Sequence, residues 1–209
     1  MSIEKAQSWV YAETFASDNM YTNQARLQAA ELGIEPISTA TGHFLSLLCS
    51  AKGAKVIADI GTGTGVSGLY LLAGTKDSQI TSIDVDSEAQ NMARQNFAAT
   101  GVRSGRYRLI NGRSADILPR LASASYDLVL VDGDPLEAEG DVVEALRMLR
   151  TGGILVVAHA LYRDRVADPA RRDDHTVAMR NLGKLLQESD SLTTSLLPVG
   201  DGLLVSVKN

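Results

Sequence analysis

The chain has 209 residues, of which 44% are hydrophobic and 22% are charged, and its formal net charge is −5. This length suits one globular domain with a substantial core, and the negative charge gives no general attraction to nucleic acid or to an anionic membrane. The single cysteine, Cys49, excludes an intrachain disulfide framework and, within an apolar run, predicts a buried thiol. No segment looks like a signal peptide or a membrane span, so we expect a cytoplasmic protein.

About fifty residues before the first predicted strand are interpreted as helical. They contain a break at residues 33–36 and a further helix from about Thr39 to Ser50. These helices would cover a cofactor or build a dimer contact, and the sequence does not choose between the two. We predict one domain over residues 1–209, with residues 1–52 as a helical N-terminal cover and residues 53–209 as a cofactor-binding sheet.

From Val56 onward, short β-forming runs alternate with longer segments of helical period. Residues 128–131 and 154–157 are apolar on both faces, which is typical of central strands in a parallel sheet with helices on each side. The sequence therefore predicts an α/β fold with a Rossmann-like doubly wound sheet. The predicted strands are Val56 to Gly61, Gln79 to Val85, Tyr107 to Asn111, Tyr126 to Asp132 and Gly153 to His159.

Several element ends have recognisable signals. Ser87 and Gln90 predict a capping box at the start of the helix after the second strand, and Gly101 predicts its C′ glycine. Two apolar runs on either side of residues 200–202 predict a final hairpin, so that the sheet finishes with an antiparallel strand. The helix before this hairpin is predicted to direct four side chains inward: Ala178, Leu182, Leu185 and Leu186.

The loop after the first predicted strand carries the strongest functional signal. Residues 63–68 satisfy the pattern G-x-G-x-x-G, which by itself is weak evidence for a dinucleotide site. Asp59 stands two residues before Gly61. A carboxylate directed into this loop would repel a pyrophosphate and attract the ammonium group of S-adenosylmethionine. The acid therefore favours that cofactor.

Two further loops complete the predicted cofactor site. Asp84 ends the second strand, where a carboxylate accepts hydrogen bonds from ribose hydroxyls, as it does in NAD enzymes too. Ser114 follows the third strand, within reach of an adenine edge. Each residue taken singly is also explained by a turn or a helix cap. Their joint spacing indicates a nucleoside cofactor.

The chain from about Ile37 to its C-terminus resembles the S-adenosylmethionine-dependent O-methyltransferases of the catechol and caffeoyl-CoA type. The matching segments are residues 59–61, 64–67, 83–86, 112–118, 126–132, 152–154 and 200–202. The resemblance implies a seven-stranded sheet of order 3-2-1-4-5-7-6 with the last strand antiparallel. It also implies methyl transfer to a small hydroxylated acceptor, aromatic acceptors included, and a homodimer.

The resemblance also implies the cofactor-binding residues. Asp59 and the backbone around residues 61–63 would hold the methionine moiety, and Ser67 would hold its carboxylate. Asp84 would bind the ribose, and Ser114 with Ala115 the adenine. The full set is Asp59, Gly61, Thr62, Gly63, Ser67, Asp84, Val85, Ser114, Ala115 and Asp132.

The catalytic half departs from the family pattern. Family members bind a divalent metal through an Asp after the fourth strand and an Asp-Asn pair after the fifth. Asp132 matches the first position, but Ala158 and His159 replace the pair, and Pro135 replaces the lysine base of catechol-type members. The sequence therefore leaves a divalent metal open. Asp134 and His159 are weaker ligand candidates, and an imidazole would suit Zn²⁺, Mn²⁺ or Fe²⁺ better than Mg²⁺.

His159 and Asp132 are the predicted catalytic residues, with His159 as the candidate general base. The competing interpretation is a structural histidine that hydrogen-bonds a neighbouring loop. His43 is placed on an N-terminal helix, and His175 in a charged, solvated loop after the fifth strand that would line the acceptor pocket. Two other functions stay open: an NAD-dependent oxidoreductase, and a catalytically inactive S-adenosylmethionine-binding protein.

Overall fold

The structure is a computed structural model and describes residues 3–209. Seven strands of this part of the chain form a mixed sheet in the order β3-β2-β1-β4-β5-β7-β6, as predicted. β7 is antiparallel to both of its neighbours, and the remaining pairs are parallel. The strands are β1 (Val56–Ile60), β2 (Gln79–Asp84), β3 (Tyr107–Asn111), β4 (Tyr126–Val131), β5 (Leu149–Val157), β6 (Leu192–Leu197) and β7 (Leu203–Lys208).

Helices precede the sheet and then alternate with its first five strands. Those before the sheet are α1 (Ile3–Glu13), α2 (Met20–Glu31) and α3 (Thr39–Lys52). Those after β1 to β5 are α4 (Val66–Ala73), α5 (Ser87–Ala99), α6 (Ser114–Ile117), α7 (Ala138–Met148) and α8 (Asp174–Gln187). None of the helices in residues 3–209 has both the length and the apolar character needed to span a bilayer.

The centre of the sheet is buried on both faces, which explains the continuous apolar runs of its strands. Alternate residues of β4 enter different layers of the core, because successive side chains of a strand point to opposite faces. Leu128 packs in the layer that contains Leu45 of α3, and Val129 packs in the layer that contains Val142 of α7. The doubly wound arrangement is therefore confirmed. Cys49 is fully buried, and burial raises the pKa of its thiol to about 12.

Two local predictions are wrong. The cap of α5 is Asp86, whose carboxylate accepts hydrogen bonds from the backbone N–H groups of residues 88 and 89. Gln90 instead donates its side-chain amide to the Ile110 carbonyl. Leu185 is 45% exposed, because the buried stripe of α8 passes through Met179 and Leu182. Gly101 does follow the end of α5 with a φ of 75°, as predicted.

The start of β5 also differs from its prediction. The strand begins at Leu149 rather than Gly153, and its register against β4 shifts between Tyr126 and Leu128. Gly152 has a φ of 75° and interrupts the regular strand conformation. The apolar run from Ile154 marks only part of the strand, because residues 150–152, between the buried Leu149 and this run, lie nearer the surface.

The N-terminal helices are attached beside the glycine loop that follows β1. Thr64 donates its hydroxyl to the Ala25 carbonyl of α2 at 2.7 Å. Asn96 of α5 donates its amide to both the Thr64 carbonyl, at 2.9 Å, and the Gln28 side chain of α2, at 2.7 Å. These bonds fix the segment between α2 and α3 over the carboxyl edge of the sheet.

Candidate active site

A cavity of about 560 Å³ opens at the carboxyl ends of β1, β2 and β4. The sheet order reverses between β1 and β4, where doubly wound folds bind their ligands. Residues 34–37, between α2 and α3, form part of the wall. Seven of the described lining residues are acidic: Glu35, Asp84, Asp86, Asp132, Asp134, Glu137 and Asp141.

The cavity is therefore strongly negative. Arg113 is the basic residue among the described lining residues, and its guanidinium is already paired with Glu137 at 2.6 Å. Clefts lined by one sign of charge concentrate ligands of the opposite sign. The cavity consequently favours a cationic ligand over a diphosphate.

The glycine loop is wedged between the ends of β2 and β4. Gly61 has a φ of 94°, and a Cβ there would lie 2.3 Å from the backbone oxygen of Asp132. Gly63 donates its N–H to the Asp84 carboxylate at 2.7 Å. Thr62 lies between them, lines the cavity, and carries a buried hydroxyl without a hydrogen-bond partner among the described residues. Buried polar atoms are normally paired, so this hydroxyl is available to a ligand.

Asp59 lies beneath the glycine loop and not in the cavity wall. Its side chain is fully buried and accepts hydrogen bonds from the hydroxyls of Ser67, at 3.1 Å, and Ser82, at 3.0 Å. The expectation that this carboxylate points into the loop is therefore wrong. Burial, with a smaller contribution from the charge of Asp132, raises the pKa of Asp59 to about 7. Ser67 does line the cavity, so Asp59 acts on a ligand there through the hydroxyl that it orients.

Asp84 occupies the position predicted for a ribose ligand. One carboxylate oxygen accepts from Gly63 N–H, and the other accepts from Asp86 N–H at 2.8 Å. Each oxygen keeps a further lone pair, so this fixed carboxylate can still accept hydroxyl donors. Val85 and Ser114 also line the cavity, whereas Ala115 is exposed and does not line it.

His159 lies between two carboxylates. Its Nδ1 is 3.2 Å from Oδ2 of Asp201, and its Nε2 is 3.3 Å from Oδ1 of Asp132. The second contact is an ion pair without aligned hydrogen-bond geometry, so Asp132 Oδ1 has no hydrogen-bond donor among residues 3–209. The Asp132 side chain is only 8% exposed. The structure thus brings together both predicted catalytic residues, of which Asp132 lines the cavity and His159 contacts it from outside the lining.

Asp201 is a residue that the site prediction missed. The sequence signal at Asp201 is the Asp-Gly turn, which predicts a hairpin. That signal does not tell which other part of the chain the turn will contact. The turn contacts the end of β5 because β7 pairs with β5.

The charge of the imidazole follows from these neighbours. Burial alone lowers the pKa of His159, but its close contacts with the Asp132 and Asp201 carboxylates outweigh that effect and raise the pKa to about 10. Burial also raises the pKa of Asp132. At neutral pH His159 is therefore an imidazolium, which has no lone pair for accepting a proton. The role of general base does not fit this arrangement.

The residues at this position also do not fit a divalent metal ion. Ala158 offers no ligand atom, and both ring nitrogens of His159 face carboxylates. Asp134 is half-exposed, and its Oδ1 accepts the N–H of Leu136. Across residues 3–209, no three His, Cys, Asp or Glu side chains are arranged as a metal site.

The other two histidines have different surroundings. His43 lies on α3, as predicted, and its ring packs edge-on against Tyr70. His175 is in the first turn of α8 and not in the loop where the sequence placed it. Its ring stacks on Tyr162, and its Nε2 is 3.8 Å from Asp134 Oδ1. His175 is thereby adjacent to the cavity wall.

Known proteins with similar sequences are O-methyltransferases by name. A family model described as O-methyltransferase matches residues 12–209. A "Putative O-methyltransferase" of Mycobacterium bovis (strain BCG / Pasteur 1173P2) is 42% identical over 202 residues, covering 96% of this chain and 90% of that protein. One from Mycobacterium avium (strain 104) is 44% identical over 207 residues, covering 98% and 93%.

Solved structures with the same fold include two of similar length. A Corynebacterium glutamicum protein superposes with a TM-score of 0.87 at 33% identity, covering 98% of this chain and 96% of that one. TomG from Streptomyces achromogenes, an O-methyltransferase of tomaymycin synthesis crystallised with S-adenosylmethionine, has a TM-score of 0.87 at 23% identity and full coverage of both chains. The second likeness concerns the fold alone. On the family match and the two mycobacterial relatives, this chain belongs to the O-methyltransferase family and is an enzyme of that class, as its sequence predicted.

Proposed function

We propose that this enzyme transfers a methyl group from S-adenosylmethionine to an oxygen of a small hydroxylated acceptor, in the cavity beside Asp132. One observation carries the proposal. Two buried polar atoms of the cavity wall, Thr62 Oγ1 and Asp132 Oδ1, have no hydrogen-bond partner among residues 3–209. A buried hydroxyl such as that of Thr62 is costly to leave unpaired, and Asp132 Oδ1 has only its ion pair with His159, so a bound ligand is the natural source of their hydrogen-bond partners.

The lining residues suit this cofactor. S-adenosylmethionine supplies a methyl group on a positively charged sulfonium and also carries an ammonium, and the acidic wall attracts both charges. Asp84 accepts the ribose hydroxyls, and Ser67, whose proton is donated to Asp59, offers its hydroxyl oxygen as an acceptor at the methionine end. Ser114 lies at the adenine end. Asp59 holds the Ser67 hydroxyl from behind.

The chemistry requires the acceptor hydroxyl to lose its proton as its oxygen bonds the methyl carbon. Asp132 is the candidate proton acceptor, because burial raises its pKa and its Oδ1 has no donor within the described chain. His159 stabilises the negative charge that develops on the oxygen, since it is held as an imidazolium against Asp132. Fixed charges in a dry site are effective in this role. No step in this scheme needs a metal ion.

The proposal extends to the surroundings of the site. The helices within residues 1–52 act as a cover for the sheet that binds the cofactor, which is supported by the contribution of residues 34–37 to the cavity wall. The absence of a nucleic-acid partner is supported by the net charge of −5, and a single buried cysteine fits a cytoplasmic location.

A homodimer is the oligomeric state that we propose. Apolar side chains of α1 and the segment after it are exposed, among them Trp9, Val10 and Tyr11, and Phe15 is 76% exposed. Large exposed apolar patches are typical of protein interfaces. Sedimentation velocity is expected to give twice the monomer mass, and a monomer at micromolar concentration would contradict this part.

Two measurements test the function. Isothermal titration calorimetry with S-adenosylhomocysteine is expected to give binding, and a titration with NADH none. A panel of hydroxylated aromatic and aliphatic acceptors is then incubated with S-adenosylmethionine, and methyl ethers are sought by mass spectrometry. Binding of S-adenosylhomocysteine without any methylated product would favour the inactive cofactor-binding protein, whereas absence of binding would reject the proposal.

A further inference from the structure

The turn between β6 and β7 packs against the loop that follows β5. Asp201 accepts Leu161 N–H on its backbone carbonyl at 2.8 Å, and Gly202 accepts Ala160 N–H at 3.0 Å. The approach is close, since a Cβ on Gly202, whose φ is 85°, would lie 2.5 Å from the Leu161 side chain. The turn is therefore built to hold the first residues of this loop.

The loop has an uncommon backbone. His159, Tyr162, Arg163 and Asp164 all have positive φ, between 44° and 60°. Residues with a Cβ rarely adopt this left-handed conformation and keep it only where other contacts impose it. Contacts that impose it here must act on a short stretch immediately after β5.

Asp201 supplies two such contacts through its side chain. Its Oδ2 is hydrogen-bonded to the Nδ1 of His159 at 3.2 Å, and its Oδ1 accepts a hydrogen bond from the N–H of Arg163 at 2.6 Å. One carboxylate thus fixes both the direction of the imidazole and the backbone four residues later. Neither Asp201 nor His159 is among the residues that line the cavity, but His159 contacts Asp132, which does line it, so the influence of Asp201 on a reacting group passes through His159 and Asp132.

We propose that Asp201 is a positioning residue for methyl transfer, holding the His159 ring against Asp132 and the loop in its left-handed conformation. This inference rests on the proposed function, in which Asp132 and His159 serve the reacting oxygen. Asp132 contacts the ring only at Nε2, and this contact lacks hydrogen-bond alignment. The ring orientation is consequently set from the Asp201 side.

The turn has a second, independent anchor, so that removing the Asp201 charge leaves it in place. Glu13, at the end of α1, accepts Gly200 N–H on Oε1 at 2.7 Å. Its Oε2 accepts the Ser38 hydroxyl at 2.9 Å. Since Glu13 and the pairing of β7 with β5 hold the turn, a change at the Asp201 carboxylate affects mainly His159 and Arg163.

The main test is Asp201→Asn, which keeps the shape of the side chain and removes its charge. The kcat is expected to fall by roughly 10- to 100-fold, the scale of loss caused by a misplaced reacting group. The affinity for S-adenosylhomocysteine is expected to stay within about twofold, because Asp201 does not line the cavity. The matched control is Asp77→Asn, at an exposed aspartate outside the cavity wall, which is expected to leave both quantities unchanged. An unchanged kcat in Asp201→Asn overturns the inference.

A double-mutant cycle distinguishes positioning from a merely structural role. His159→Gly removes the ring and suits the left-handed backbone at this residue. If Asp201 acts through His159, adding Asp201→Asn to His159→Gly causes no further loss of kcat. An equal loss in both backgrounds, or a parallel loss of S-adenosylhomocysteine affinity, overturns the inference. Asp201→Ser, whose side chain is shorter, provides the same comparison should Asp201→Asn not fold.

A spectroscopic measurement decides the question without turnover. The chain has three histidines, so ¹⁵N imidazole signals are few, and His159→Gly identifies those of His159. The Nδ1–H signal of His159 is expected to exchange slowly with solvent in the wild type and rapidly in Asp201→Asn. Identical signals in both proteins overturn the inference. Absence of methylated product would reject the proposed function, yet these signals would still test the role of Asp201.

Discussion

The imidazole of His159 stands between Asp132 and Asp201, with Nε2 3.3 Å from the first carboxylate and Nδ1 3.2 Å from the second. The positive charge that this arrangement stabilises lies beside Asp132, where the family pattern implies a metal ion. The two carboxylates therefore determine whether His159 is a base or a cation. Its position supports a metal-independent reaction that uses a fixed imidazolium.

Replacement of the ring should remove most of the activity. His159→Gln keeps a polar side chain of similar length without a positive charge, and kcat is expected to fall by about 100-fold or more, as for other fixed groups that stabilise a developing anion. Binding of S-adenosylhomocysteine, followed by calorimetry, should persist. His43→Gln is the matched control, because the His43 ring packs against Tyr70 and is hydrogen-bonded to the Ser17 carbonyl, and so does not contact Asp132 or Asp201. Wild-type kcat in His159→Gln would remove His159 from the mechanism.

Chelation should leave the reaction unaffected. Ala158 provides no ligand, and both ring nitrogens of His159 face carboxylates, so the residues beside Asp132 do not fit a divalent ion. Activity is expected to be the same with and without EDTA, and elemental analysis of the purified protein should give much less than one divalent metal per chain. A loss of activity on chelation that Mg²⁺, Mn²⁺ or Zn²⁺ reverses would contradict this prediction.

The stabilising effect of His159 should depend on pH. Its pKa in the folded protein is about 10, above its ordinary value of 6.5. A raised pKa means that the folded state binds the proton more tightly, so the contribution is complete below pH 6.5 and is lost as the pH rises toward 10. The difference in unfolding free energy between wild type and His159→Gln, measured by urea denaturation, should shrink over that interval. A difference that is constant from pH 6.5 to 10 would show that the imidazole is neutral in the folded state.

Asp84 should contribute strongly to cofactor affinity. Asp84→Ala removes a carboxylate that lines the cavity and also the acceptor for Gly63 N–H. Hydrogen bonds to charged groups contribute about 1.5–3 kcal/mol each, so S-adenosylhomocysteine should bind roughly 10- to 100-fold more weakly. Calorimetry measures the change, and Asp77→Asn again serves as the control. An affinity within twofold of wild type would exclude Asp84 from the ribose site.

Gly61 should be irreplaceable for steric reasons. In Gly61→Ala the new Cβ would lie 2.3 Å from the Asp132 carbonyl oxygen, at a φ of 94° that L-residues avoid. The free energy of unfolding is expected to fall by about 3 kcal/mol, from strain and overpacking together. Gly105→Ala is the matched control, because a Cβ there meets nothing within 4 Å at an ordinary φ. Equal urea midpoints for the two variants would show that the loop relaxes around the added methyl group.

The sequence by itself determined the order of the elements and the location of the site. Buried strands appear in the sequence as short apolar runs, and helices appear as apolar residues at helical spacing, because each pattern reflects local geometry and burial. The resemblance carried by the segments at 59–67, 83–86 and 200–202 added the strand order. Since parallel strands end at one edge, Asp84, Ser114 and Asp132 were predicted to converge, and all three line one cavity. The capping box at Ser87 was wrong because the neighbouring Asp86 offers an equally good local signal.

Tertiary structure alone decided what the charged groups do. Asp59 was expected to face the ligand. In the structure it lies beneath the loop, where its carboxylate accepts hydrogen bonds from the Ser67 and Ser82 hydroxyls. Asp201 and His159 are 42 residues apart in the chain, and they come into contact because β7 pairs with β5. The charge of an imidazole depends on burial and on neighbours within a few ångströms. These distances are set by the folding of distant segments onto each other, which local sequence patterns do not encode.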